Sequence, residues 1–255
     1  MLYLTKLTLD TRYKAALHAL ADTYALHRLV YLGFPDQDEG GPGRPLYRLE
    51  PFDPVKRKAP AILVQSSVAP RHPERWQERG YIRVEGPIEV VWQGEAAPPP
   101  FPGRKRVEVA LCAGQVYRFR LRVNPTVKRR FDQSSKRPGH RRIGLYCEED
   151  QRAWLERKAR EGGFEVIEVK AAPQRGGEPV FVQDVAAVDR TFYGRAPDRY
   201  NSSCNREPDQ LQHLAVTFDG MLRVTEPTTF IQTIEGGIGS AKGFGFGLLS
   251  LARAG

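Results

Sequence analysis

A chain of 255 residues with 40% hydrophobic and 10% aromatic content has enough apolar side chain for packed cores, which excludes a disordered polymer, and its length suits two small domains. Its formal charge of +9 favours a polyanionic partner, because each Lys or Arg laid on a phosphate releases condensed counterions. No run reaches the about 18 apolar residues of a membrane span, and MLYLTKLTLD lacks the basic and long apolar regions of a signal peptide, so a soluble cytoplasmic protein that meets no membrane is expected.

The first ten residues read as a strand, with Leu2, Leu4, Leu7 and Leu9 set among Tyr3, Thr5, Lys6 and Thr8. From Thr11 to about Leu32 the apolar spacing turns helical: Ala16, Leu17, Leu20, Tyr24, His27 and Val30 or Tyr31 recur at three- and four-residue steps. Asp22 and Thr23 are candidate caps for a second helix beginning near Tyr24. Residues 35–45 are loop, LYRLEP (46–51) and AILVQSSV (61–68) are strands, and PERWQERG (73–80) is a short helix ending at Gly80. YIRVEGPIEVVW (81–92) is strand-like, broken at Gly86-Pro87. The resulting β-α-β-β-α-β order is the ferredoxin-like or RRM-like pattern.

Residues 93–104 are rich in Pro, Gly and Ala and mark a linker. The expected domains are 1–95 and 106–255, with 96–105 between them. The pattern then restarts. VYRFRLRV (116–123) is a strand with Arg118, Arg120 and Arg122 on one face, and CEEDQRAWLERKARE (147–161) is an amphipathic helix. FEVIEVK (164–170), PVFVQDV (179–185) and HLAVTFDGMLRV (213–224) are strands, the last with Asp219-Gly220 as a two-residue hairpin turn. TTFIQTIEGG (228–237) is a short helix, and GFGFGLLSLA (243–252) closes the chain as a strand. The expected fold is α+β: two tandem ferredoxin-like domains, the second with a hairpin or loop insertion at 186–210 and a C-terminal glycine-rich loop.

Three features could carry chemistry. The loop-like segment 128–142 holds Lys128, Arg129, Arg130, Lys136, Arg137, Arg141 and Arg142 against one Asp, a net +6 of the chain's +9. Such concentration suits a phosphate track, although a solvated loop would look the same; Phe131 within it could stack on a base or anchor the loop. The segment 236–247 fits neither a P-loop nor a dinucleotide-binding spacing. Its Gly237 and Gly239 would let backbone N–H groups approach phosphates, with Lys242 adding charge; tight packing between helix and strand is the plainer alternative.

Among five histidines (His18, His27, His72, His140 and His213), His27 stands out because Tyr24 lies three residues earlier on the same helical face. A histidine titrating near neutrality moves protons in phosphodiester cleavage, and a phenol can orient the attacking hydroxyl. His140, in the basic segment, is the rival. No HExxH and no clustered Asp/Glu with His appears along the chain, so neither a metal nor any other cofactor is expected. The cysteines Cys112, Cys147 and Cys204 are few and scattered, and reduced thiols are expected.

Six segments in order resemble the CasE family of CRISPR RNA processing endonucleases: MLYLTKLTLD, TYALHR (23–28), FRLRVNPTVKR (119–129), AWLERK (153–158), TFDGMLRV (217–224) and GGIGSAKGFGFGLLSLA (236–252). The resemblance implies two ferredoxin-like domains, a bound CRISPR repeat stem-loop cut at its 3′ base, and retention with the other Cascade subunits. It places the family's catalytic pair on Tyr24 and His27. It also implies attack by the ribose 2′-OH, giving a 2′,3′-cyclic phosphate and a 5′-OH. The family's groove-inserting basic hairpin would fall within 189–210, with Arg195 and Arg199 as RNA contacts. A non-catalytic RRM-like RNA-binding subunit is the alternative; it would need neither Tyr24 nor His27. The glycine spacing disfavours a nucleotide-binding metabolic enzyme.

Overall fold

The structure, a computed structural model, describes residues 1–50, 53, 55, 58–99, 104–131, 139–171, 180–183, 185–195 and 210–254; positions 131, 139–141, 168–171, 180–183, 185–195 and 210–212 are described by backbone alone. The chain divides into two compact units, Met1–Ala110 with Phe192–His213 and Ala241–Leu248, and Leu111–Thr191 with Leu214–Ser240 and Leu249–Gly255.

The first unit runs β1 (Leu2–Leu9), α1 (Lys14–Ala21), α2 (Thr23–Tyr31), β2 (Leu46–Glu50), β3 (Ala61–Ser66), α3 (Pro73–Gln77), β4 (Ile82–Trp92) and β5 (Lys105–Val109). Its sheet has the order β2-β3-β1-β4-β5, antiparallel except for the β4–β5 pair. The first four strands therefore follow the ferredoxin-like arrangement. β5, which falls in the expected linker and the start of the second domain, adds a parallel fifth strand.

Asp22 splits the helical stretch in two. Its extended backbone ends α1, and its carboxylate accepts from the Tyr24 N–H at 2.9 Å, as an N-cap should. α2 then buries Leu26, Leu29 and Val30 in a core with Leu7, Leu9, Phe34, Ile62 and Trp76. Trp76 of α3 donates its indole N–H to the Leu29 carbonyl at 2.8 Å. A Cβ on Gly33 would lie 2.5 Å from that indole, so only glycine lets the chain leave α2 so close to it. These contacts fix the helix that carries Tyr24 and His27. The expected break at Gly86-Pro87 is instead a register shift inside a continuous β4. Gly86 takes φ +103 there, and a Cβ on it would stand 2.7 Å from the Leu4 carbonyl.

The second unit contains β6 (Val116–Val123), β7 (Thr126–Phe131), β8 (Gly139–Gly144), α4 (Glu148–Glu161), β9 (Phe164–Val166), β10 (Glu168–Ala171), β11 (Val180–Gln183), α5 (Pro227–Gly236) and β14 (Leu249–Arg253); β12 (Val185–Arg195) and β13 (Gln210–Val224) complete the strands. The main sheet has the order β12-β13-β6-β14, with β9 also on β13. Thus β9, β13, β6 and β14 repeat the arrangement of the first sheet. β6 buries Phe119, Leu121 and Val123 and exposes Arg118 and Arg120. The buried set joins Trp154 and Leu155 of α4 and Phe230 of α5 in the core, and Phe230 packs on Phe164 with ring centroids 5.4 Å apart.

Three local expectations change. Asp219-Gly220 is not a turn: β13 runs through it, Asp219 opposite Arg120 and Gly220 opposite Phe119, with an Arg120–Asp219 ion pair at 2.6 Å. Unbroken pairing along a long strand outweighs one dipeptide preference. Segment 164–170 divides into β9 and β10, which join different sheets. The basic segment expected as a loop is the hairpin β7–β8. Of the expected insertion at 186–210, residues 196–209 lie outside the described residues. Among the described residues, no helix is long and apolar enough to cross a membrane. Cys112 and Cys147 are free; Cys204 lies outside the described residues.

Candidate active site and nucleic-acid interface

On α2, Tyr24, His27 and Tyr31 share a side at three- and four-residue steps, each partly buried, and Tyr31 also packs against the core. In the same unit, residues 241–248 form a tight loop. Ala241 takes the left-handed conformation at φ 58, a 3-10 turn covers Lys242–Phe244, and Gly245 takes φ +82. The turn aims the Gly243 carbonyl at the helix, where His27 Nδ1 lies 2.8 Å from its oxygen. The Tyr47 hydroxyl of β2 donates to that same oxygen, also at 2.8 Å.

A carbonyl can only accept, so His27 Nδ1 carries the proton in this pair. Nε2 of the neutral ring is then the acceptor that remains for chemistry. Burial pushes the His27 pKa below its ordinary 6.5, opposed in part by the Gly243 carbonyl, which favours the protonated ring. The ring is therefore neutral at pH 7, the form a proton acceptor needs. Tyr24 lies near-parallel to His27 with ring centroids 6.4 Å apart. Tyr31, one turn further on, packs on the imidazole at 4.3 Å. Burial raises the Tyr31 phenol, against the opposing charge of Arg44.

The loop is anchored from several sides within its unit. A Cβ on Gly245 would come within 3.1 Å of the Tyr47 ring. Arg48 donates to the Leu248 carbonyl at 3.2 Å, and His213 packs on Phe244 and Phe246 at 4.9 and 6.0 Å. Lys242 lies in the 3-10 turn, partly buried.

In the second unit, Lys128, Arg129, Arg130 and Arg142 are exposed on the β7–β8 hairpin. The register pairs Lys128 with Arg142, Arg130 with His140 and Thr126 with Gly144. Directly opposed residues share a face, so Lys128, Arg130 and Arg142 stand on one side. At the base of that side the Thr126 hydroxyl meets the Ser240 hydroxyl at 3.4 Å, and Ser240 in turn donates to the Asn124 carbonyl. Like charges side by side repel, and an anion along this face would relieve that repulsion. Lys136, Arg137 and Arg199 lie outside the described residues, as do the side chains of Phe131, His140, Arg141 and Arg195. Gly237 follows α5 at φ +69, with its N–H on the Thr233 carbonyl. Gly239 takes φ +87, where a Cβ would be 3.3 Å from Trp154. Both glycines thus have conformational reasons to be glycine.

If the hairpin lies on phosphates, replacing Lys128, Arg129 and Arg130 together with alanine weakens RNA binding and flattens its salt dependence. The log–log slope of affinity against salt falls by about 0.7–0.9 for each phosphate that is no longer neutralised, as fluorescence anisotropy across a salt series would measure. An unchanged slope makes the hairpin a solvated surface only.

Sequence reasoning did not find Tyr31, Tyr47 or Gly243. Tyr31 was within reach through its four-residue step from His27. Gly243 falls within the glycine-rich segment 236–247, but its pairing with Tyr47, 196 residues away, leaves no local trace. The chain also carries a carboxylate–histidine group that its linear order hides. Asp36, Glu39 and His72 bring one potential ligand atom each within 4.8 Å of one another, contrary to the expectation of no such cluster. Those atoms are engaged: His72 donates to Glu39 at 2.8 Å and Arg75 to Asp36 at 3.0 Å, and the Glu39 hydrogen bond raises the His72 pKa.

The chain thus joins two ferredoxin-like units, one with a carbonyl-oriented histidine and the other with an exposed cationic hairpin of the kind that suits a polyanion. The family model for CRISPR associated protein matches residues 2–253, and the chain belongs to that family. It is 33% identical over 254 residues to the CRISPR-associated endoribonuclease Cse3 of Thermus thermophilus, covering 98% of this chain and 100% of that one. It is 29% identical over 153 residues to the CRISPR system Cascade subunit CasE of Escherichia coli, covering 58% of this chain and 63% of that one. A solved structure of Thermus thermophilus Cse3 bound to an RNA representing a pre-cleavage complex superposes with a TM-score of 0.68 at 31% identity, over 99% of both chains.

Proposed function

We infer that this chain is an endoribonuclease that cuts CRISPR repeat RNA at the 3′ base of its stem-loop and keeps the product within Cascade, in the cytoplasm. The observation that carries the chemistry is the 2.8 Å contact between His27 Nδ1 and the Gly243 carbonyl. It assigns the ring proton and leaves Nε2 as a base. In this reading His27 Nε2 takes the proton of the ribose 2′-OH. The 2′ oxygen then forms a bond to the adjacent phosphorus, and the bond from phosphorus to the 5′ oxygen breaks. The departing 5′ oxygen takes up a proton from water and the His27 imidazolium returns its own to solvent, leaving a 2′,3′-cyclic phosphate, a 5′-OH and the neutral ring. Tyr24 positions the reacting group beside the imidazole. The cationic hairpin holds the RNA backbone; Lys242 and Gly239 belong to the proposed contacts, and Gly237, whose N–H is taken by the Thr233 carbonyl, offers only close backbone approach. Lys136, Arg137, Arg141, Arg142, Arg195 and Arg199 belong to the same proposed set of contacts.

A proton-transfer mechanism of this kind needs no metal, so cutting of a repeat hairpin persists in excess EDTA. A gel of repeat RNA with protein, with and without chelator, checks it. Activity that vanishes in EDTA and returns with Mg²⁺ would instead require metal-activated chemistry.

A further inference from the structure

Tyr47 takes no part in the proton transfer itself, yet it shares an acceptor with the proposed base. We propose that Tyr47 is a positioning residue for the cleavage reaction: its hydroxyl, held on the Gly243 carbonyl, fixes the direction of that carbonyl and through it the tautomer and orientation of His27. The proposal rests on His27 acting as the proton-transfer group.

The geometry is direct. A carbonyl oxygen has two lone pairs, and Gly243 uses one on Tyr47 Oη and one on His27 Nδ1, each at 2.8 Å. The peptide that bears this oxygen follows Gly243 itself, which has no Cβ to restrict its backbone dihedrals, in a short turn between the left-handed residues Ala241 and Gly245. Tyr47 cannot move with it. Its side chain is fully buried, and it stands on β2, paired to β3 opposite Val64. A buried side chain on a paired strand thus adds a hydrogen bond that fixes the direction of this carbonyl, and the carbonyl selects the Nδ1–H form of the imidazole. Which ring nitrogen carries the proton is set by the hydrogen bond the other group offers; without a fixed acceptor the two neutral tautomers exchange and part of the population presents the wrong nitrogen.

A hydroxyl buried only for packing would have no bearing on the tautomer of a histidine on a different element. The test is therefore Tyr47→Phe, which keeps the buried ring and removes one oxygen. Two-bond ¹⁵N–¹H correlations of the His27 ring in the free protein should show a single Nδ1–H tautomer in the native chain and a mixture in the variant. Single-turnover cutting of the repeat hairpin should fall about 3- to 10-fold, in line with loss of one hydrogen bond, with RNA affinity changed less than about twofold. In a His27→Ala background, Tyr47→Phe should cost nothing further, because its effect passes through the imidazole. That comparison also covers a variant that folds poorly, since general destabilisation would lower cutting in both backgrounds. An unchanged tautomer with native cutting by Tyr47→Phe overturns the proposal, as does an equal loss in both backgrounds. Failure of the base itself looks different: His27→Ala would cut normally, while the tautomer measurement, which needs no RNA, would still report whether Tyr47 orients the ring.

Discussion

Replacing His27 with alanine leaves RNA affinity nearly intact and lowers cutting by about 10²–10⁴-fold, the range typical of a lost general base or acid. The separation of binding from cutting follows from where the residue stands. His27 is partly buried on α2, whereas the exposed cations that would supply affinity lie on the β7–β8 hairpin. A histidine that only packed would behave otherwise: its loss would loosen α2, and binding and cutting would fall together. The pH dependence of the native enzyme tests the same group. Burial lowers the His27 pKa from 6.5, so the folded protein binds this proton less readily than an exposed histidine does. Cutting is therefore flat near pH 7 and falls only as pH drops through a value below 6.5. Folding stability is linked in the same direction: it declines on acidification from about 6.5 toward the folded pKa, because the unfolded chain binds the proton first. Single-turnover rates from pH 5 to 8 give the limb, and its absence in a residual activity of His27→Ala would assign it. Normal cutting by His27→Ala would move the search to His140, the histidine within the basic segment.

An RNA with 2′-deoxyribose at the scissile position is bound but not cut. The proposed nucleophile is then missing, and no arrangement of Tyr24 and His27 can replace it, because intramolecular attack depends on an oxygen already held beside the phosphorus. Losing one hydroxyl removes at most a hydrogen bond from the ground-state complex, about 0.5–1.5 kcal/mol, so affinity changes by about tenfold or less. Competition binding against the all-ribose hairpin, alongside a denaturing gel, reads both quantities. Efficient cutting of the analogue would rule out 2′-OH attack and point to an activated water, with linear rather than cyclic phosphate ends. The same experiment separates the enzyme from a non-catalytic RNA-binding subunit, which would bind both RNAs and cut neither.

By itself the sequence determined the features set by near neighbours along the chain. The β-α-β-β-α-β order of the first unit follows from hydrophobic period, Asp22 marks the start of α2 by its capping carboxylate, and the three-residue step from Tyr24 to His27 puts both on one helical face. Each depends on interactions within about one turn or one pleat, which local pattern records. The concentration of charge in 128–142 was equally plain, but its form was not: a run of Lys and Arg hides the alternation of a strand, and only pairing of Thr126–Phe131 with Gly139–Gly144 shows the hairpin. The tertiary structure alone decided the rest. It carried β13 through Asp219-Gly220 because pairing with β6 satisfies the backbone there, and it drew Lys105–Val109 into the first sheet. Above all it brought the Gly243 carbonyl to His27 across 216 residues and to Tyr47 across 196. A histidine's tautomer depends on a directional bond to one atom, and when that atom belongs to a backbone carbonyl on a distant loop, no side-chain pattern near the histidine announces it.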